Sequence, residues 1–358
     1  MNNQRVFLLS ILIILIAMVG CSKDNEVAKT ENETEQTQQD QTENPEKEQE
    51  VEEVEPTYKH VYPLTGIKTN DDISNRAVAV MVNNHPSARP QTGLTKADIV
   101  FEILAEGNIT RFMALFHSEK PEVVGPVRSA RPYYFQLADD YGALYVYHGA
   151  AVFIENMLRA GAADYLNGSY YDNDGHLFER SSDRVRPHNS YLLFDGVYTV
   201  AQNKGYSVEA SHTELPFLSD EEMATISGED ITEIDISYYN NPAVRYVYDS
   251  SREKYLRFNG DDQTVDLKTE DEILLDNVFV METEHQVTDS KGRREIDFQS
   301  GGKALLFQKG KVLEVQWENV EGQILPIDNN GNTIGLVPGK TWINVVPASP
   351  GLDAVSMQ

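Results

Sequence analysis

Three regimes of hydrophobic patterning divide the chain. Residues 6–19 are apolar throughout except Ser10. Residues 22–57 contain no aromatic side chain and almost nothing apolar. From Tyr58 onward, apolar positions recur with the periods of secondary structure.

The body itself has two textures. In its first half, continuous apolar runs at 77–82, 99–104, 111–117 and 143–148 predict buried strands. Helical spacing fills the intervals at 132–141, with Pro132 near the first turn, and at 152–160, ending before Gly161. A third helix is predicted at 191–204, with Ser190 as its N-cap. After Pro216 the segments shorten and alternate: 231–238, 244–248, 255–258, 278–281, 304–307, 312–317 and 342–346. Asn259-Gly260, Gly301-Gly302, Lys309-Gly310 and Asn330-Gly331 are turn dipeptides between them. The pattern predicts an α+β protein. A mixed α/β layered domain, residues 58–215, precedes a mainly antiparallel β domain, residues 216–358.

The first 21 residues predict a lipoprotein signal peptide. Arg5 gives a short positive start, and the apolar run is about 14 residues where a spanning helix needs roughly 20. Met18-Val19-Gly20-Cys21 sets the chain's single cysteine where a lipobox would put it, with Met18 in place of the usual leucine. Lipidation of Cys21, including palmitate-type acylation, would then anchor the protein on the outer face of the bacterial cytoplasmic membrane. Two acyl chains suffice for that where one does not. Residues 22–57 carry 13 acids and 3 lysines, too little apolar surface to offset ordering, and are expected to act as a disordered acidic tether. As a coil they would reach about 30–36 Å.

The whole chain has a formal net charge of −27. With the leader at +1 and the tether at −10, the body is left at −18, which argues against a nucleic-acid partner. No phosphate-binding glycine loop, zinc spacing or EF-hand loop is present, so no cofactor and no metal is expected. Asp172-Asn173-Asp174-Gly175 has neither the ligand spacing nor the terminal acid of a calcium loop.

Against that acidity, four clusters of Arg, His and Asn stand out. They are Asn83-Asn84-His85-Pro86-Ser87-Ala88-Arg89-Pro90, Gly125-Pro126-Val127-Arg128-Ser129-Ala130-Arg131-Pro132, His148-Gly149-Ala150, and the segment 178–189, which holds Arg180, Arg186, His188 and Asn189. Three of them fall at strand-to-helix connections, where open sheets bind ligands. Arginine forks suit carboxylate or phosphate. Arg128, Arg131 and Arg186 are therefore candidate clamps, and Asn84, His148 and His188 candidate orienting groups. Asn83, Arg89, Ser129, Arg180 and Asn189 complete the candidate site. The competing reading makes these arginines loop braces, with Glu179, Asp183 and Asp195 as partners near in sequence. Ser129 lacks a nucleophile elbow and reads as a helix N-cap. Tyr133, Tyr134, Tyr145, Tyr147, Tyr170 and Tyr171 could stack on sugars, but half-buried packing is the commoner use.

Tyr62-Pro63-Leu64-Thr65-Gly66, Val80-Met81-Val82-Asn83-Asn84, Gly125-Pro126-Val127-Arg128-Ser129-Ala130-Arg131 and Arg186-Pro187-His188-Asn189 resemble the YerB family of bacterial lipoproteins. The resemblance spans about residues 61–347. It implies two domains of unknown function and a lipid anchor, and transfers no catalytic or binding residue.

These readings together predict a membrane-anchored binding or accessory module of the cell envelope, recognising a cell-wall or anionic small-molecule ligand or an envelope protein. The alternative is a hydrolase of an envelope glycan or anionic ester, with His148 or His188 as acid/base. A purely structural role for the arginines is the third reading.

Overall fold

The computed structural model describes residues 57–238 and 243–358. The leader, Cys21 and the tether lie outside them. The protein is mostly β, with a few helices: α1 (Pro132–Asp140), α2 (Val152–Arg159) and α3 (Gly196–Asn203), besides short turns of helix.

One large sheet organises the body. Its first half orders the strands Ile99–Leu104, Thr110–Phe116, Val78–Asn83, Leu144–Tyr147 and Tyr165–Asn167 side by side. Each of the long apolar runs is buried on both faces, as a continuous rather than alternating pattern requires. Alternate residues then feed two separate cores. Ala79, Met81, Phe101 and Met113 pack with α1 and α2 on one face. Val80, Val82, Val100 and Phe112 pack with α3 and a second sheet on the other.

The large sheet does not stop at residue 215. Thr341–Pro347 runs parallel to Ile99–Leu104, with Ile343 opposite Phe101, and also parallel to Asn277–Thr283. Gly302–Gln308 and Lys311–Val320 extend the sheet antiparallel from there. The second half is thus antiparallel except at this parallel strand, through which it joins the first half. The second sheet is built on Glu233–Ile236, Val244–Asp249 and Lys254–Asn259.

The expected helix at 191–204 is corrected at its start. Ser190–Leu193 is a strand between Val123–Val124 and Phe178–Arg180, and only Gly196–Asn203 is helical. Tyr191, Leu192 and Phe194 are all buried, which a strand followed by a turn achieves and a one-sided helix face does not. Ser190 therefore caps nothing.

A buried ion pair ties the two halves together. Glu102 is the one charged residue in its strand, and Arg257 comes from the second sheet; both are fully buried, 2.8 Å apart. Glu102 also accepts from Trp342 Nε1, Thr110 Oγ1 and Asn84 Nδ2. Arg257 donates to Thr264 and lies over the Trp342 ring at 4.8 Å.

Candidate functional site

The four polar clusters converge. The 126–128 segment lies along the end of Val78–Asn83: the Asn83 N–H donates to Pro126 O, and the Arg128 N–H to Met81 O. The same segment reaches the next two clusters, because the His148 N–H donates to Arg128 O and the Val127 N–H to Ser190 O. His85 and His188 stack with ring centroids 4.6 Å apart.

Hydrogen bonds fix the histidine tautomers. Asn83 Oδ1 accepts the His85 backbone N–H, so its amide nitrogen is the group facing His188 Nδ1 at 2.9 Å. An amide nitrogen only donates. His188 Nδ1 is therefore the acceptor, and the neutral ring carries its proton on Nε2. His85 Nδ1 likewise accepts the Ser87 N–H, leaving its proton on Nε2. Neither Nε2 has a protein partner among the described residues. Burial lowers the pKa of His188, and the neighbouring His85 ring and Arg128 lower it further, so the ring is neutral at pH 7.

His148 is fully engaged. Arg180 donates to its Nε2 at 3.0 Å, so Nδ1 holds the proton and faces Ser190 Oγ at 2.7 Å. Burial, with Arg180 next, lowers its pKa to about 4. Gly168 makes this placement possible, since a Cβ there would lie 2.6 Å from His148 Nδ1. No histidine pairs with a carboxylate among the described residues. The site therefore shows no acid–base pair of the kind a hydrolase mechanism needs.

Most candidate arginines have internal partners. Glu106 takes both Arg111 and Arg131, and although burial raises its pKa, the two guanidiniums bring it below the usual value. Asp172 takes Arg180 at 2.6 Å and the exposed Arg186 at 3.4 Å. Glu106 and Asp172, rather than Glu179, Asp183 or Asp195, are thus the partners, because a hairpin turn and loop packing bring these acids to the arginines. Arg184 donates to Ala88 O and Pro90 O. Asn189 accepts from Arg180, and Asn84 is buried between Glu102, Thr110 and Arg89. These residues hold loops in place.

Arg128 differs from all of these. Its guanidinium has no hydrogen bond or ion pair among the described residues, yet it is partly buried. Burial, together with Arg111 and Arg131, lowers its pKa to about 10, and at neutral pH it stays charged.

Other expectations resolve on the same geometry. Ser129 is not the N-cap of α1; Arg131 holds that position without a side-chain cap. Tyr133, Tyr134, Tyr145 and Tyr147 are core residues, while Tyr170 is exposed. Asp174 forms a turn, its Oδ1 accepting the backbone N–H groups of His176, Leu177 and Phe178.

The sequence matches "Protein of unknown function (DUF3048) N-terminal domain" over residues 64–207 and the corresponding C-terminal domain over residues 234–343. The chain belongs to the DUF3048 family. "Putative lipoprotein YerB" of Bacillus subtilis (strain 168) is 45% identical over 300 residues, which cover 82% of this chain and 88% of the relative. The crystal structure of the YerB protein from Bacillus subtilis matches with a TM-score of 0.76 at 44% identity, covering 84% of this chain and 100% of that one.

This DUF3048 chain should be acid-labile through its buried histidines. Burial, as the leading cause, lowers the pKa of His117, His148 and His285 to about 4, against 6.5 for an ordinary ring. Their contribution to stability is present above pH 6.5 and is lost as the pH falls toward 4. Asp98 opposes them: burial holds it at about 6, so its contribution is present below about pH 3.8 and is lost as the pH rises through 6. Among these four groups the three histidines outweigh Asp98, so near pH 5 the unfolded state binds more protons at them and stability falls as the pH drops from 7 to 5. Urea unfolding at pH 7, 6 and 5 measures this, and an unchanged midpoint would contradict it.

Proposed function

We propose that this protein is an extracytoplasmic lipoprotein, held through Cys21 on the outer face of the cytoplasmic membrane, that binds an anionic ligand of the cell envelope. Residues 58–215 supply the ligand contacts, and residues 216–358 support the sheet that carries them and offer a surface to an envelope partner. The lipobox-like leader and the name of the Bacillus subtilis relative support the anchor. One observation carries the binding role: among the described residues, Arg128 keeps a charged, half-buried guanidinium unpaired while the arginines around it are bonded. A desolvated cation without a partner costs stability, and an anion would offset that cost.

Arg128 and Arg131 should therefore behave oppositely. Arg128→Ala is expected to shift ligand-free stability by no more than about 0.5 kcal/mol, and to abolish the roughly 2.7 kcal/mol of stabilisation that a true ligand gives at 100 times its Kd. Arg131→Ala leaves Glu106 with Arg111 alone, and is expected to cost about 1–3 kcal/mol with no ligand present. Thermal unfolding of the full chain, with and without anionic muropeptides and polyol phosphates, separates them. If Arg128→Ala unfolds as early as Arg131→Ala and no anion stabilises the parent, Arg128 is a structural residue.

A further inference from the structure

Arg128 acts electrostatically on His188, which stacks on His85, and among the described residues all three side chains keep unpaired donors. Arg128 contributes a guanidinium fork, and His85 and His188 contribute one Nε2–H each. The nearby carboxylates are committed, Glu106 to Arg111 and Arg131, and Asp172 to Arg180 and Arg186. A sugar hydroxyl needs an acceptor for its own proton, and these three side chains offer none. The ligand group must instead be ionised and must only accept.

Charge and shape narrow it further. Both rings accept at Nδ1 and donate at Nε2, so the uncommitted positive charge is the single one of Arg128. That matches a monoanion, whereas a phosphate monoester brings a second negative charge with nothing to meet it. A carboxylate accepts chiefly in its own plane, where the Arg128 fork takes two of its sites and the rest lie in that same plane. Two rings stacked 4.6 Å apart present their N–H groups in separate planes. The oxygens of a tetrahedral phosphorus accept from outside any one plane. Resting on the anion-site reading above, we infer that the ligand group is a phosphodiester, such as the one repeated along a polyol phosphate polymer, held by Arg128 with His85 and His188.

The test is calorimetric titration of the full chain in neutral detergent micelles at pH 7.5. The probes are glycerophosphoglycerol (a diester), glycerol 3-phosphate (a monoester) and acetate. The diester should bind at least tenfold more tightly than either of the others. Arg128→Gln should weaken it by tenfold or more. His188→Phe keeps a ring but loses the N–H, and should weaken it more than His188→Gln, which keeps an N–H. If acetate or the monoester binds as tightly as the diester and is equally sensitive to Arg128, the anion site stands and the phosphodiester assignment falls. If His188→Phe binds the diester like the parent, the imidazoles are not contacts and the assignment also falls. If no anion binds, or Arg128→Gln changes nothing, the anion site itself is refuted.

Discussion

Arg257→Ala is expected to destabilise the folded body by about 3–5 kcal/mol. Its guanidinium and the Glu102 carboxylate are both fully buried and 2.8 Å apart. Removing the cation leaves an anion in the middle of the large sheet, with only the Trp342, Thr110 and Asn84 groups to solvate it. That is the costly half of a buried pair; a pair replaced on both sides by apolar groups of similar volume loses far less. Arg257→Met combined with Glu102→Leu should accordingly be less damaging than Arg257→Ala, although three other donors then lose their acceptor. The measurement is the urea midpoint of each variant in the full chain. A loss below about 1 kcal/mol for Arg257→Ala would mean that water reaches Glu102 and that the junction between the halves is looser than described.

Cys21→Ser should move nearly all of the protein from the membrane fraction to the soluble fraction of the envelope. A single acyl chain gives marginal, reversible binding, and stable anchoring needs a second. Removing the sulfur removes the attachment point altogether, and an acidic tether gives no electrostatic hold on anionic lipid. Fractionation with mass spectrometry of the mature N-terminus reads the result. Unchanged membrane association of Cys21→Ser, or a parent protein free of lipid, would remove the anchor from the account.

Much of the first half was legible because its strands are buried on both faces. Runs such as 78–82 and 99–104 leave little choice of element. The misread helix at 191–204 shows the limit: Ser-Tyr-Leu-Leu-Phe fits either period, and pairing with Phe178–Arg180 decided it. The parallel strand Thr341–Pro347 looked like one more hairpin arm, because nothing local tells parallel from antiparallel pairing.

The candidate site divided the same way. The sequence could mark the four clusters, because Arg, His and Asn beside turn residues are conspicuous in an acidic chain. It could not show which arginines were already bonded. Glu106 and Asp172 reach theirs through a hairpin turn and loop packing, which spacing does not encode. His85 was visible in its cluster but missing from the candidate set, since only the stack with His188 gives it a role. Glu102 passed unnoticed inside an apolar run, where its one charge was the signal of a buried partner.

The donor-only character of the Arg128 site can be read from histidine protons. The full chain has eight histidines, few enough to assign by substitution in a long-range ¹H–¹⁵N spectrum. At pH 7 the account predicts His85 and His188 both protonated on Nε2 with a bare Nδ1, and both Nε2 signals displaced when glycerophosphoglycerol is added. A proton on Nδ1 of His188, or signals that stay still at saturating anion, would contradict it.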